Sequence, residues 1–167
     1  LASFMRERTT EELLLPLQQS QARHGIAQHF RDGTVLPSEP LLQVFAQPSK
    51  WNRVPLITGT NRDEMKLFLA VNDNYVNQLF GAIPVIRDAP RYEWIASYMS
   101  DRWKAMAVDE VAAVIRESGA DIPVFAYRFD WDEGPSNWLV DYPKLLGAPH
   151  GMELDFLFGP MISRAVP

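Results

Sequence analysis

Residues 54–64, Val54-Pro55-Leu56-Ile57-Thr58-Gly59-Thr60-Asn61-Arg62-Asp63-Glu64, pass from an apolar run into a polar turn. Met65, Leu67, Phe68 and Leu69 follow at once. A short apolar run over 54–58 that closes on Gly59 reads as a buried strand. Pro55 stands near its start, where a missing N–H does least harm to a ladder. The polar residues 60–64 then form a turn into a helix start. A strand whose carboxyl end feeds a helix belongs to α/β architecture.

Downstream, residues 74–80 and 92–117 read as helical, the second with a break near 107–109. Val111, Val114 and Ile115 recur there at helical spacing, and Gly119 is a natural stop. Trp94 and Trp103 on this stretch read as packing residues. Ile122-Pro123 introduces a second strand, Val124–Phe129, rich in aromatic and β-favouring residues. A long loop over 130–149, with Gly134-Pro135 and Gly147, leads to His150-Gly151 and an apolar pattern over 152–158.

Upstream, Thr9-Thr10-Glu11-Glu12 carries a capping-box pattern. Leu13, Leu14 and Leu17 continue it at helical spacing until Pro16 strains the helix. Residues 25–52 are loop-like, with Asp32-Gly33 a turn signal and Pro37, Pro40 and Pro48 as breakers. There are no internal repeats or low-complexity tracts. Strands alternating with long helical connections give an α/β fold with parallel strands. Two strands alone cannot make a doubly covered sheet, so the sheet is expected to be incomplete and the chain part of something larger.

Composition narrows the function classes. With 167 residues, 47% hydrophobic and 22% charged, the chain has a one-domain length and ordinary globular content. The formal charge is −5, from 16 basic and 21 acidic residues, and no basic cluster stands out, so no nucleic-acid partner is expected. The absence of cysteine excludes a disulfide framework, a thiolate zinc site and a Cys nucleophile within these residues, and fits a cytoplasmic location weakly. No apolar run reaches the roughly 18–20 residues of a membrane span. No signal peptide is visible at Leu1, although both ends read as cut.

Two residues have suggestive placement. Glu64 follows the first strand, and His150 stands in the loop after the second. Ligand sites in open α/β sheets collect beyond the carboxyl ends of strands. Acid then His is also the tail of the order Ser…Asp/Glu…His. Position alone leaves bland readings open. A Glu at a helix start is favoured by the macrodipole, and a lone His beside Gly is commonly a surface or satisfied core residue.

The wording around both residues is more specific. Residues 54–64 resemble the stretch of type-B carboxylesterases, the cholinesterase-like family, that ends on the triad glutamate. Leu146-Gly147-Ala148-Pro149-His150-Gly151-Met152-Glu153-Leu154-Asp155-Phe156-Leu157-Phe158-Gly159 resembles that family's triad-histidine stretch, of the form G-x-x-H-G-x-E-x-x-(F/Y)-x-F-G. Val124–Phe129 matches the aromatic strand before it, and Asp32-Gly33-Thr34-Val35-Leu36-Pro37 a loop before the acid strand. The four matches stand in the family's order.

The resemblance implies the C-terminal part of an α/β-hydrolase domain over residues 1–167, lacking the nucleophile half and the extreme C-terminus. It implies a serine esterase acting on a small-molecule carboxylic ester without cofactor or metal. Glu64 would be the acid and His150 the base. Met65 departs from the Gly that many relatives carry after the acid. No G-x-S-x-G and no Gly-Gly-Gly oxyanion segment occurs, so the nucleophile is expected elsewhere. Asp63 is expected to cap the helix rather than act as the acid, and Glu153 and Asp155 to pair structurally. His24 and His29, five apart, do not share a helix face as zinc ligands would.

Two other outcomes accompany the enzyme reading. One is a non-catalytic adhesion domain of the same superfamily; the other is an inactive truncated product whose bare strand edges invite aggregation. Which ester is used, and the oligomeric state, are not legible.

Overall fold

The computed structural model describes residues 2–12, 14–15, 31–134 and 136–159. The chain divides into two compact units, residues 1–40 and 41–167. In the first, helix α1 covers Ala2–Arg6. The expected capping box forms reciprocally: Thr9 N donates to Glu12 Oε2 at 2.8 Å, and Glu12 N to Thr9 Oγ1 at 3.2 Å. The Asp32-Gly33 turn forms too, since Asp32 accepts from the amides of Thr34 and Val35, which hold its carboxyl below the usual range. The helical positions Leu13, Pro16 and Leu17, and both His24 and His29, lie outside the described residues.

The second unit is mixed α/β. Helix α2 (Leu41–Phe45) and a 3₁₀ turn (Pro48–Lys50) lead into β1 (Leu56–Asn61) and α3 (Lys66–Ala70). The hairpin β2 (Val76–Leu79) and β3 (Ile83–Ile86) precedes α4 (Ala89–Lys104), a π-helical turn (Ala105–Asp109) and α5 (Glu110–Glu117). Strand β4 (Val124–Phe129) and the short helices α6 (Tyr142–Leu145) and α7 (Glu153–Phe158) follow. Strands β1 and β4 pair in parallel, with Leu56 opposite Val124 and Asn61 opposite Phe129. Parallel pairing was expected, and β4 has its expected bounds. Strand β1 instead extends past Gly59 to Asn61. The amide of Arg62 still donates to Phe129 O, so the ladder runs to the edge of the turn.

Two helical expectations need correction. Residues 74–80 are not a helix; most of them form β2, antiparallel to β3 with Val76 opposite Ile86. β-branched and aromatic residues favour the ribbon, and Phe80 and Gly81 turn it with φ of 54° and 74°. The stretch 92–117 is also unbroken. A π turn over Ala105–Asp109 carries α4 into α5, and Lys104 Nζ meets Asp109 Oδ2 at 2.5 Å, five residues on, which suits i→i+5 spacing. Asp88 caps α4 by accepting from Arg91 N, and Gly119 (φ 73°) ends α5.

The core joins Leu69, Ala70, Val76, Tyr92, Ala96, Val140 and Leu145. Tyr92 is fully buried, and its hydroxyl donates to Leu145 O at 2.7 Å and lies 3.2 Å from Lys66 O. It thus ties the start of α3 to the end of α6, the two elements that flank Glu64 and His150. No helix among the described residues is long and apolar enough to cross a membrane.

Candidate active site

Glu64 is placed by the turn that leaves β1. Thr60 and Asn61, the last two strand residues, are buried, and the chain then folds back so that the Glu64 carboxylate faces them. Its Oε1 accepts from Asn61 N at 2.7 Å and from Thr60 Oγ1 at 3.0 Å. Its Oε2 lies 2.6 Å from His150 Nδ1, across 86 residues of sequence. Two donors hold one carboxylate oxygen, which leaves the other aimed at a single ring nitrogen. A buried carboxylate satisfied in this way has little freedom to turn.

His150 follows the long loop after β4, and its side chain is 44% exposed while that of Glu64 is 6% exposed. The imidazole lies against the rings of Phe68 and Trp103, with centroids 5.4 and 5.2 Å away. Phe68 and Trp103 also stack on each other at 6.4 Å. Aromatic faces on the ring and a carboxylate on Nδ1 fix both its plane and its tautomer. Among the described residues, no hydrogen bond engages Nε2.

The structure therefore brings together the two residues singled out from sequence. It also corrects the expectation for Asp63. Met65, without a side-chain cap bond, takes the N-cap position of α3, and its amide donates to Ser100 Oγ instead. Asp63 turns toward the histidine loop: its Oδ2 accepts from Ala148 N at 3.0 Å, and its own amide donates to Ala148 O at 3.0 Å. Glu153 pairs structurally, accepting from Asn61 Nδ2, which also donates to Pro149 O at 2.6 Å. Asn61 Oδ1 is buried without a partner.

Charges around this turn are matched. Arg62 bonds Asp132 at 2.6 Å and Asp63 at 2.9 Å; these partners hold its guanidinium charged, and Arg62 draws the Asp132 carboxyl below the usual range. Buried Lys66 reaches Glu93 at 3.0 Å and Asp63 at 3.6 Å. Burial pushes the Tyr127 phenol up, and the Glu153 and Glu64 carboxylates add to it. Gly59 leaves the room that ring occupies, since a Cβ there would sit 2.2 Å from it.

Sequence reading missed Thr60, Asn61 and Ser100 as members of the site, and took Trp103 as packing alone. Their place at the end of β1 offered a signal for Thr60 and Asn61 but not for Ser100, because polar residues at a strand's carboxyl end commonly face a site. Among the described residues, no group of three His, Asp or Glu is arranged to hold a metal. Compared with family models, curated proteins and solved structures, the chain matches none.

Proposed function

We propose that His150 and Glu64 are the general base and its orienting acid in a serine hydrolase of carboxylic esters, with the serine supplied from outside these 167 residues. The observation that carries this reading is the 2.6 Å contact between Glu64 Oε2 and His150 Nδ1, made at the carboxyl ends of two parallel strands. That contact presents Nε2 outward from a half-exposed ring, as proton transfer with a partner group requires. The ordered resemblance of four segments to type-B carboxylesterases supports the same assignment.

In this scheme Nε2 accepts the serine hydroxyl proton as the oxygen attacks the ester carbonyl carbon. The tetrahedral intermediate collapses with loss of the alcohol, which takes that proton from His150. Water then gives a proton to Nε2 and attacks the acyl-enzyme; the acid leaves, and the proton returns to serine. Glu64 stabilises the imidazolium formed in each half and holds the tautomer with its proton on Nδ1.

The test uses the polypeptide as encoded, including whatever precedes Leu1. It should hydrolyse a p-nitrophenyl ester and take up a fluorophosphonate on one serine. His150→Gln should lower kcat at least ~10³-fold with the fold intact. Hydrolysis that survives this change, or a wild-type protein that neither hydrolyses nor labels, would exclude the assignment.

A further inference from the structure

The peptide just before His150 is held by side chains from the turn that carries Glu64. Asp63 grips Ala148 at two points, by its carboxylate on the amide and its amide on the carbonyl, both at 3.0 Å. Asn61 Nδ2 takes the next carbonyl, Pro149 O, at 2.6 Å. Gly147, with φ of 59°, lets the carboxylate in: a Cβ on it would lie 2.2 Å from Asp63 Oδ2. Residues 147, 148 and 149 are thus each matched to residue 61 or 63, and the next residue is His150.

From this we infer that Asp63 is a positioning residue, one that sets the register of the histidine loop so that His150 Nδ1 meets Glu64 Oε2. Glu64 is adjacent to Asp63, so one turn fixes the acid directly and the base through its preceding peptide. A slip of the loop by one residue moves its carbonyls by ~3.3 Å and breaks all three backbone contacts at once. Arg62 and Lys66 neutralise Asp63 from two sides, at 2.9 and 3.6 Å, and so hold the carboxylate that does the gripping. As a statement about catalysis this rests on the base and acid assignment above; as a statement about geometry it does not.

Two variants and two readouts test it. In the encoded polypeptide, Asp63→Ala should lower kcat ~100-fold while KM stays within ~3-fold, as expected when a reacting group is displaced by about an ångström. Asp63→Asn, which keeps an oxygen for Ala148 N, should recover most of that loss. Gly147→Ala leaves every charge in place and pushes the carboxylate off Ala148, so it should reproduce the kcat loss; it decides the matter alone if Asp63→Ala does not fold. The second readout is the strongly deshielded proton resonance of His150 Nδ1–H, which needs no activity. It should disappear or shift in Asp63→Ala and Gly147→Ala but persist in Glu93→Gln, which removes a different partner of Lys66. An unchanged resonance and unchanged kcat in folded Asp63→Ala or Gly147→Ala would overturn the inference. A wild-type protein without His150-dependent hydrolysis would remove the catalytic assignment, and the resonance would still decide the positioning.

Discussion

The carboxyl end of the β1–β4 pair and the middle of the same two strands are held by different means. At the carboxyl end, Asn61, Asp63 and Glu64 make directional bonds to backbone and side chains of the 148–153 segment, and Thr60 donates to Glu64 within the turn. In the middle, Ile57 and Phe125 stand side by side in register and are 72% and 61% exposed. Hydrogen bonds give orientation, which proton transfer needs; apolar burial gives free energy without direction. The site end is therefore set by contacts this chain makes within itself, and the open face of its sheet contributes little to it.

The largest break of that comparison acts at the site end and spares the fold. Glu64→Gln keeps the size of the side chain and the capacity to accept from Asn61 N and Thr60 Oγ1. In the proposed mechanism it presents an amide where the carboxylate would stabilise an imidazolium. In the encoded polypeptide kcat should fall about 10⁴-fold, with the melting temperature nearly unchanged. A fall of tenfold or less in a steady-state assay would show that Glu64 is only a structural cap of its turn.

How much of this was legible in sequence depends on distance along the chain. The β1 strand, its turn and the Thr9 capping box are short-range patterns, and each formed. Strand β4 was legible from aromatic and β-branched composition. Glu64 and His150 were legible because their surrounding words resemble a family's, and position alone left them ambiguous. The hairpin over 76–86 was not legible, since its turn relies on Phe80 at positive φ, where Gly or Asn is the usual signal. The grip of Asp63 on Ala148 joins residues 85 apart, and no local pattern announces which carboxylate turns outward from a helix start. The π turn was misread as a break because propensity scales carry no information on i→i+5 bonding.

Tyr92 tests the support behind the site, with a smaller effect. Tyr92→Phe removes a buried hydroxyl and strips Leu145 O of its 2.7 Å donor. The cost should be about 1–2 kcal/mol by urea denaturation at neutral pH. Burial raises the phenol's folded-state pKa above the ordinary value near ~10. The sign follows: the stabilisation is complete below about pH 10 and is lost as pH rises beyond it, because the unfolded phenol ionises first. The gap between wild type and Tyr92→Phe should thus narrow by up to ~1.4 kcal/mol per pH unit above 10. A gap that stays constant across that range would show that the hydroxyl is not protected by burial.

In the strand middle, Gly59→Ala places a methyl against the Tyr127 ring. That ring is itself partly exposed, so it can swing outward, and the cost should be about 1 kcal/mol rather than the several expected in a closed core. A thermal shift of many degrees would show that the ring has nowhere to go.

Ile57→Thr gives the smallest effect and sharpens the comparison most. Threonine keeps the β-branched shape that suits a strand and exchanges one ethyl group for a hydroxyl. Because Ile57 is already largely in water, the 167-residue chain should lose no more than ~0.5 kcal/mol in denaturant unfolding. Its tendency to aggregate should fall, since an exposed apolar patch on a two-stranded sheet is reduced. The same substitution in the encoded polypeptide then reads out whether that face is covered there. A cost of ~2 kcal/mol or more would mean that Ile57 is buried by residues beyond these 167, and the contrast between the two regions would then be one of partner rather than of kind. A cost near zero in both would mean that the directional contacts at the carboxyl end hold the site without apolar cover on that face.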